Sequence, residues 1–159
     1  MIDDTSLQIL RILQEKARTP NVEVARQVGL APSAVLERIK KLEKQGIIDG
    51  YEVRLNPERF QRNLVAFILV TLNDKNDQME AEKSLSGLTD IQELHFITGG
   101  DSLLVKVRVR DIRDLDHLIR EQIWKIGNGC STKTMISLHT AKETSRIPLD
   151  DFNNDDRNE

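Results

Sequence analysis

PNVEVARQVGLAPSAVLERIKKLEKQGII, residues 20–48, spells two helices joined by a tight turn. Val22, Ala25 and Val28 recur at helical spacing and form one apolar stripe; Val35, Ile39 and Leu42 form a second, at i, i+4 and i+7. Between the stripes, Gly29 suits the left-handed residue that closes a helix. Pro32 suits the first position of the next helix, where its missing N–H costs nothing, and it keeps Ala31 out of helical geometry. A turn of this length sets two helices at a steep angle, as in a helix-turn-helix. The second helix then presents Ser33, Glu37, Arg38, Lys40, Lys41 and Lys44 on the surface its apolar stripe leaves free, the surface that such a unit inserts into the major groove of DNA. A glycine-turned helix pair also occurs in all-helical cores, and a basic face can be merely solvated. The flanking sequence has to decide.

On the N-terminal side, Asp3 can cap a helix carrying Ile9, Leu10, Leu13 and Ala17 on one face and closing before Thr19-Pro20. Three short helices can share one small core, which the valine-rich segment from Val22 needs in order to be helical at all. Leu7 and Ile12 lie off that stripe and hint at a second subunit. On the C-terminal side, Gly46 ends the recognition helix and Ile47-Ile48-Asp49-Gly50-Tyr51 begins a short extended segment, the start of a winged or hinged connection.

The chain has 159 residues and a net charge of −3, which looks wrong for a nucleic-acid binder until the charge is divided. Residues 1–63 carry 11 Lys+Arg against 9 Asp+Glu, and residues 64–159 carry 12 against 17. The basic excess therefore sits with the helix pair, and its small size calls for oligomerisation to multiply phosphate contacts. No run of roughly 18 apolar residues is present and the N-terminus lacks a signal-peptide core, so no membrane partner is expected. The single cysteine, Cys130, excludes an internal disulfide framework and fits a reducing cytoplasm. The last ten residues, DDFNNDDRNE, read as a disordered acidic tail.

From residue 64 the hydrophobic period changes. LVAFILVTL (64–72) is a nearly continuous apolar strand, Asp77 to Leu88 a weakly amphipathic helix through Ala81, Leu85 and Leu88, and IQELHFIT (91–98) and SLLVKVRV (102–109) are strands joined by a Gly99-Gly100-Asp101 hairpin. Asp111 caps a helix with Ile112, Leu115, Ile119, Ile123 and Ile126 on its inner face; Gly127-Asn128-Gly129 stops it, and STKTMISLHT (131–140) is a final strand. The order β-α-β-β-α-β is the split βαβ, or ferredoxin-like, arrangement. The expected fold is therefore α+β: a helix-turn-helix domain over 1–50, a hinge over 51–63, a ferredoxin-like effector-binding and oligomerisation domain over 64–149, and the tail over 150–159. Both helices of the second domain should cover one sheet face. Because both faces of 64–72 are apolar, a second subunit is expected on the other.

Taken together, Ile2-Asp3 with ILRILQ (9–14), Arg18-x-x-NVEVARQVGLAPSAVLERIKKLEKQGIIDGY (18–51), LNPERF (55–60), HFITGGDSLLVKVRV (95–109) and TKTMISLHTAKETSRIPL (132–149) resemble the Lrp/AsnC (feast/famine) family of transcription regulators across both domains. The resemblance implies a sequence-specific DNA-binding regulator, dimers that assemble to tetramers or octamers on near-palindromic sites, and an amino-acid effector held between subunits. The DNA-binding set is then Arg18, Asn21, Pro32, Ser33, Ala34, Glu37, Arg38, Lys40 and Lys41. Ser33, Ala34, Glu37 and Arg38 should reach base edges, and Lys40, Lys41 and Arg18 should hold phosphates. The effector set is Gly99, Gly100, Asp101 and Ser102, with Ser131, Thr132 and Thr134 arriving from the last strand. Two positions depart from the family pattern. Ala31 stands where a capping serine is usual, and Ser102 where an aspartate is usual, so the acceptor for an effector's ammonium group is either Asp101 or missing.

Other chemistry is thinly represented. His95, His117 and His139 share no metal-ligand spacing, no catalytic motif is present, and no cofactor or metal is expected. Trp124 reads as packing, and Cys130, with no basic neighbour, as inert. Two rival functions stay open on sequence alone: an enzyme resembling the siroheme decarboxylases, which share this scaffold and use His and Arg beside a tetrapyrrole, and a nucleoid organiser of low sequence selectivity.

Overall fold

Three helices open the chain: α1 (Asp4–Glu15), α2 (Asn21–Val28) and α3 (Pro32–Lys44). They are seen in a computed structural model that describes residues 2–99 and 102–149. Asp3 caps α1 as the sequence requires, its Oδ1 accepting the Ser6 amide at 2.8 Å. Gly29 closes α2 at φ +71°, in the left-handed region, and the Leu30 amide reaches back to the Ala25 carbonyl. The three helices pack around Ile9, Leu13, Val24, Ala25, Val35 and Ile39, with Ile12, Val28, Leu30 and Ile48 at the margin.

Three sequence expectations need correction in this unit. Val22 is 68% exposed and Val24 fully buried, so α2 is rotated from the stripe read through Val22. Ala17 lies exposed beyond the end of α1. Ile12, read as pointing at another subunit, packs against the three-helix core. After α3, residues 49–56 hold no strand, so no wing hairpin forms there among the described residues. Tyr51 instead turns back, its hydroxyl donating to Glu43 Oε1 at 2.9 Å.

The second unit is a four-stranded antiparallel sheet of order β2-β3-β1-β4, made from β1 (Leu64–Leu72), β2 (Ile91–Ile97), β3 (Ser102–Val109) and β4 (Cys130–Ile136). Helices α4 (Gln78–Ser86) and α5 (Ile112–Leu118) bury one face of it. Ala66, Ile68 and Val70 of β1 and Leu103, Val105, Val107 and Val109 of β3 meet Ala81, Leu85, Leu115, Leu118, Ile123 and Ile126. Helix α5 runs on into one π turn, Ile119–Ile123, closed by the Trp124 amide on the Ile119 carbonyl. Ile112, assigned to the inner stripe, is 65% exposed, and Leu118 takes the buried place. At the end of this helix Gly127 has φ +54°, and a Cβ there would lie 2.5 Å from Asp77 Oδ2, which accepts the Asn128 amide at 2.8 Å. Only glycine fits that turn.

The opposite face of the sheet is not covered by helices. Strand pairing aligns Val65, Phe67, Leu69 and Thr71 of β1 with Arg108, Lys106, Leu104 and Ser102 of β3, and Phe67, Leu69 and Thr71 with Met135, Lys133 and Ser131 of β4. Lys106 lies almost buried there and reaches Glu93 Oε1 at 2.7 Å. That lysine, and less so His95, hold the Glu93 carboxyl below its usual range against the opposing effect of burial.

The two units are Met1–Arg54 with the segment from Glu143, and Leu55–Lys142. Residues 143–149, grouped by sequence with the second domain, thus belong by their contacts with the first. They lie along α1. Gln14 makes two bonds to the Ile147 backbone, at 2.9 Å to its carbonyl and 3.0 Å from its amide, while Arg11 donates to the Leu149 carbonyl and Arg146 to the Glu15 carbonyl, each at 3.0 Å. The final strand is also shorter than expected: it stops at Ile136, with one further bond from the Ser137 amide to the Val65 carbonyl.

Candidate nucleic-acid interface

Helix α3 buries one stripe, Val35, Ile39 and Leu42, of which Val35 and Ile39 enter the three-helix core. At 3.6 residues per turn, Ser33, Glu37, Lys40 and Lys44 lie opposite that stripe and Lys41 beside them. All five are exposed. Pro32 occupies the first turn, and Ala31 at the N-cap supplies no side-chain hydrogen bond to the amides at the start of α3. Ala34 is half-buried on one flank; Leu36, 40% exposed on the other, was not singled out by sequence. Arg18 is exposed in the turn after α1, and Asn21 opens α2 half-buried.

Arg38 is the exception among the residues assigned to base contact. It sits on the flank facing α1. Its Nη1 donates to Asp3 Oδ2 at 2.6 Å, to Asp3 Oδ1 at 2.8 Å and to Ser6 Oγ at 3.1 Å. The guanidinium, then the Ser6 amide and hydroxyl, hold the Asp3 carboxyl well below the usual carboxylate range. Arg38 therefore ties the recognition helix to the cap of α1. No sequence signal could have shown this, because partners 35 positions apart share no local pattern.

The residues assigned to an effector are divided by the sheet. Ser102 and Ser131 both face Thr71 across their strands on the helix-free side, and Ser102, 4% exposed, shares a 2.8 Å hydrogen bond with the Thr71 hydroxyl. Thr132 and Thr134 pair with Val70 and Ile68, and so fall on the helix side. Thr132 Oγ1 accepts the Trp124 indole N–H at 3.0 Å. Trp124 is not core packing: it is 43% exposed, with the Arg120 guanidinium 5.2 Å from its ring centroid. Gly99 has φ +95°; Gly100 and Asp101 lie outside the described residues. Cys130 donates to the Ile123 carbonyl at 3.3 Å, and burial pushes its thiol up, away from the reactive thiolate. Among the described residues no group of three His, Cys, Asp or Glu side chains is placed to hold a metal, and no helix is long and apolar enough to cross a membrane.

Comparison with known proteins agrees with this division. Residues 2–49 match the winged helix-turn-helix DNA-binding family, and residues 65–147 the Lrp/AsnC ligand binding domain. The leucine-responsive regulatory protein of Salmonella typhimurium is 34% identical over 152 residues, covering 93% of this chain and 92% of that protein. Its Escherichia coli counterpart is 33% identical over the same span. Among solved structures, E. coli AsnC superposes with a TM-score of 0.84 at 30% identity, covering 94% of this chain and 99% of that one. A transcriptional regulator from Neisseria meningitidis in complex with L-Met superposes at 0.88 and 29%, covering 94% and 98%. A feast or famine regulatory protein from M. tuberculosis complexed with L-methionine gives 0.85 and 29%, covering 92% and 99%.

Proposed function

The chain belongs to the Lrp/AsnC family of DNA-binding transcription regulators, which are not enzymes, and we propose that it reads a near-palindromic operator through α3, as a homodimer or an assembly of dimers whose DNA affinity responds to an amino acid. Family membership sets aside the decarboxylase reading. The observation that carries the contact assignment is the outward face of α3, where Ser33, Glu37, Lys40, Lys41 and Lys44 stand exposed opposite the core stripe. In the reading adopted here, Ser33, Ala34 and Glu37 approach base edges, while Lys40, Lys41, Lys44 and Arg18 neutralise phosphates, with Asn21 and Pro32 at the backbone.

Assembly through the helix-free sheet face is supported by its composition. Phe67, Leu69 and Leu104 are only half-buried in the isolated unit, an apolar patch that a second copy would cover. For the effector, the support is the L-methionine carried by two similar structures and the Ser102–Thr71–Ser131 hydroxyl row on that face. Gly99, Gly100 and Asp101 stay in the proposed site, and Thr132 and Thr134 serve it less directly, from the other side of β4. An effector contacting two dimers would shift their association and so the spacing of the reading heads.

The test is selection of binding sites from a randomised duplex library, followed by titration of the selected duplex with and without methionine, leucine and the other amino acids. A recovered palindrome with a steep salt dependence supports the reading. Equal affinity for selected and random duplex would favour the low-specificity organiser instead.

A further inference from the structure

We infer that Glu37 is the residue of α3 that discriminates sequence, by accepting a hydrogen bond from a cytosine amino group, and that the neighbouring Arg38 is a positioning residue that sets the helix rather than a base reader. This rests on the reading of α3 as the groove-entering helix.

Two adjacent charged side chains carry the argument. Arg38 has its direction set inside the protein: it lies on the α1 flank, where its Nη1 bonds both oxygens of Asp3 and the Ser6 hydroxyl. Glu37 lies about 100° around the helix axis from it. It is exposed, it lies opposite Val35, Ile39 and Leu42, and among the described residues no cation pairs with it, although Lys40 and Lys41 follow at i+3 and i+4. It also sits in the second turn, within the N-terminal part of a helix that a helix-turn-helix brings to the bases.

A carboxylate in that place has a restricted chemistry. It accepts only, so it can bond neither a phosphate oxygen nor guanine N7 and O6. Of the two amino donors in the major groove, adenine N6 stands beside the N7 acceptor, which repels a carboxylate, so the base-edge group that suits it is the cytosine N4 amine. Beside Lys40, Lys41 and Lys44, which draw the helix onto any duplex, it is repelled by phosphates in every register that leaves it without a donor. Glu37 thus lowers binding to wrong sequences as well as favouring the right one. The lysines supply grip and the acid supplies the choice.

The experiment is parallel site selection with the full-length wild type, Glu37→Ala, Glu37→Gln and Arg38→Ala, at one fixed salt concentration and at a temperature where circular dichroism shows each protein folded. The wild type is expected to select one cytosine per half-site. Glu37→Ala should lower the preference at that pair by about tenfold, while its affinity for random duplex rises. Glu37→Gln should move the preference towards adenine, whose N6 and N7 suit an amide. Arg38→Ala should keep the wild-type consensus. Selection of an unchanged consensus with undiminished preference by Glu37→Ala, or loss of that preference in Arg38→Ala alone, overturns the inference. A wild type that selects a consensus unaffected by any substitution on α3 would instead overturn the assignment of the helix itself.

Discussion

Arg38 and Asp3, 35 positions apart, form a bridge of 2.6 Å between the recognition helix and the cap of α1. The same carboxylate accepts the Ser6 amide at 2.8 Å, so one side chain both starts the first helix and anchors the third. Asp3→Ala removes both functions and should destabilise the first unit by about 1–2 kcal/mol, the cap supplying most of it because the pair is largely exposed. Asp3→Asn, which keeps a capping oxygen, should cost about half as much. Denaturant titration of the full chain, followed by helical circular dichroism, measures both. Equal stability of all three proteins would remove the bridge from any structural role.

The bridge also gives a pH signature. The folded carboxyl of Asp3 is held below its unfolded value, about 3.9 for a free aspartate. A group depressed in this way stabilises the fold above the unfolded pKa and ceases to do so as pH falls through the folded one. The stability gap between wild type and Asp3→Asn should therefore be constant from pH 7 to about 5, begin to narrow near about 4 and go on closing as pH falls towards the folded pKa. A gap that widens on acidification would contradict the assignment.

Ala31 precedes Pro32 with extended backbone, φ −70° and ψ 145°, and offers no acceptor to the first turn of α3. Ala31→Ser places a hydroxyl on an N-cap whose geometry already suits one, and should stabilise the unit by about 0.5–1 kcal/mol. Thermal unfolding reads the gain. A lower melting temperature would mean that the site does not accept the hydroxyl.

Much of this architecture is legible in the sequence. The bounds of β1 and β3 are those of the apolar runs 64–72 and 102–109, because a strand buried on one face and half-buried on the other leaves an almost unbroken hydrophobic signature. Helix α3 was equally plain from Val35, Ile39 and Leu42. Helix α2 was not. Val22 and Val24 differ by 200° around an axis, Ala25 and Val28 accompany either, and only packing against α1 and α3 chooses Val24. Ile112 was lost for a related reason: a stripe extrapolated at constant period through Ile126 crosses a π turn that breaks it. Strand alternation alone divides Ser131 from Thr132 and Thr134, since neighbours on a strand face opposite sides of the sheet. The Asp3–Arg38 bridge and the Gln14–Ile147 bonds were not legible, since hydrogen bonds between distant polar residues leave no periodicity.

The helix-free sheet face makes its own prediction. Phe67 stands opposite Lys106 and Met135 in the strand register. Phe67→Asp would put a carboxylate into the proposed subunit interface, where Lys106 is already held by Glu93 at 2.7 Å. The new acid would compete for a lysine rather than find one without a partner. The dimer dissociation constant should rise by roughly 100-fold or more. Sedimentation velocity across a dilution series checks this, with helical content as the control for folding. A wild type sedimenting as a monomer at every concentration would end the dimer proposal.

Gln14 holds residues 143–149 on α1 by two backbone bonds at Ile147, in the manner of a single rung of sheet. Ile147 itself is 64% exposed, so the segment is retained by hydrogen bonds rather than by burial. Bonds exposed in this way contribute about 0.5–1.5 kcal/mol each at most. Gln14→Ala should therefore release the segment locally without unfolding α1. Amide exchange at Ile147 should accelerate by about tenfold, and trypsin should cut sooner after Lys142 and Arg146, while the melting temperature shifts by only a few degrees. If Ile147 exchanges at the wild-type rate in Gln14→Ala, the other bonds, among them those of Arg11 and Arg146, hold the segment, and Arg11→Ala becomes the next substitution to test.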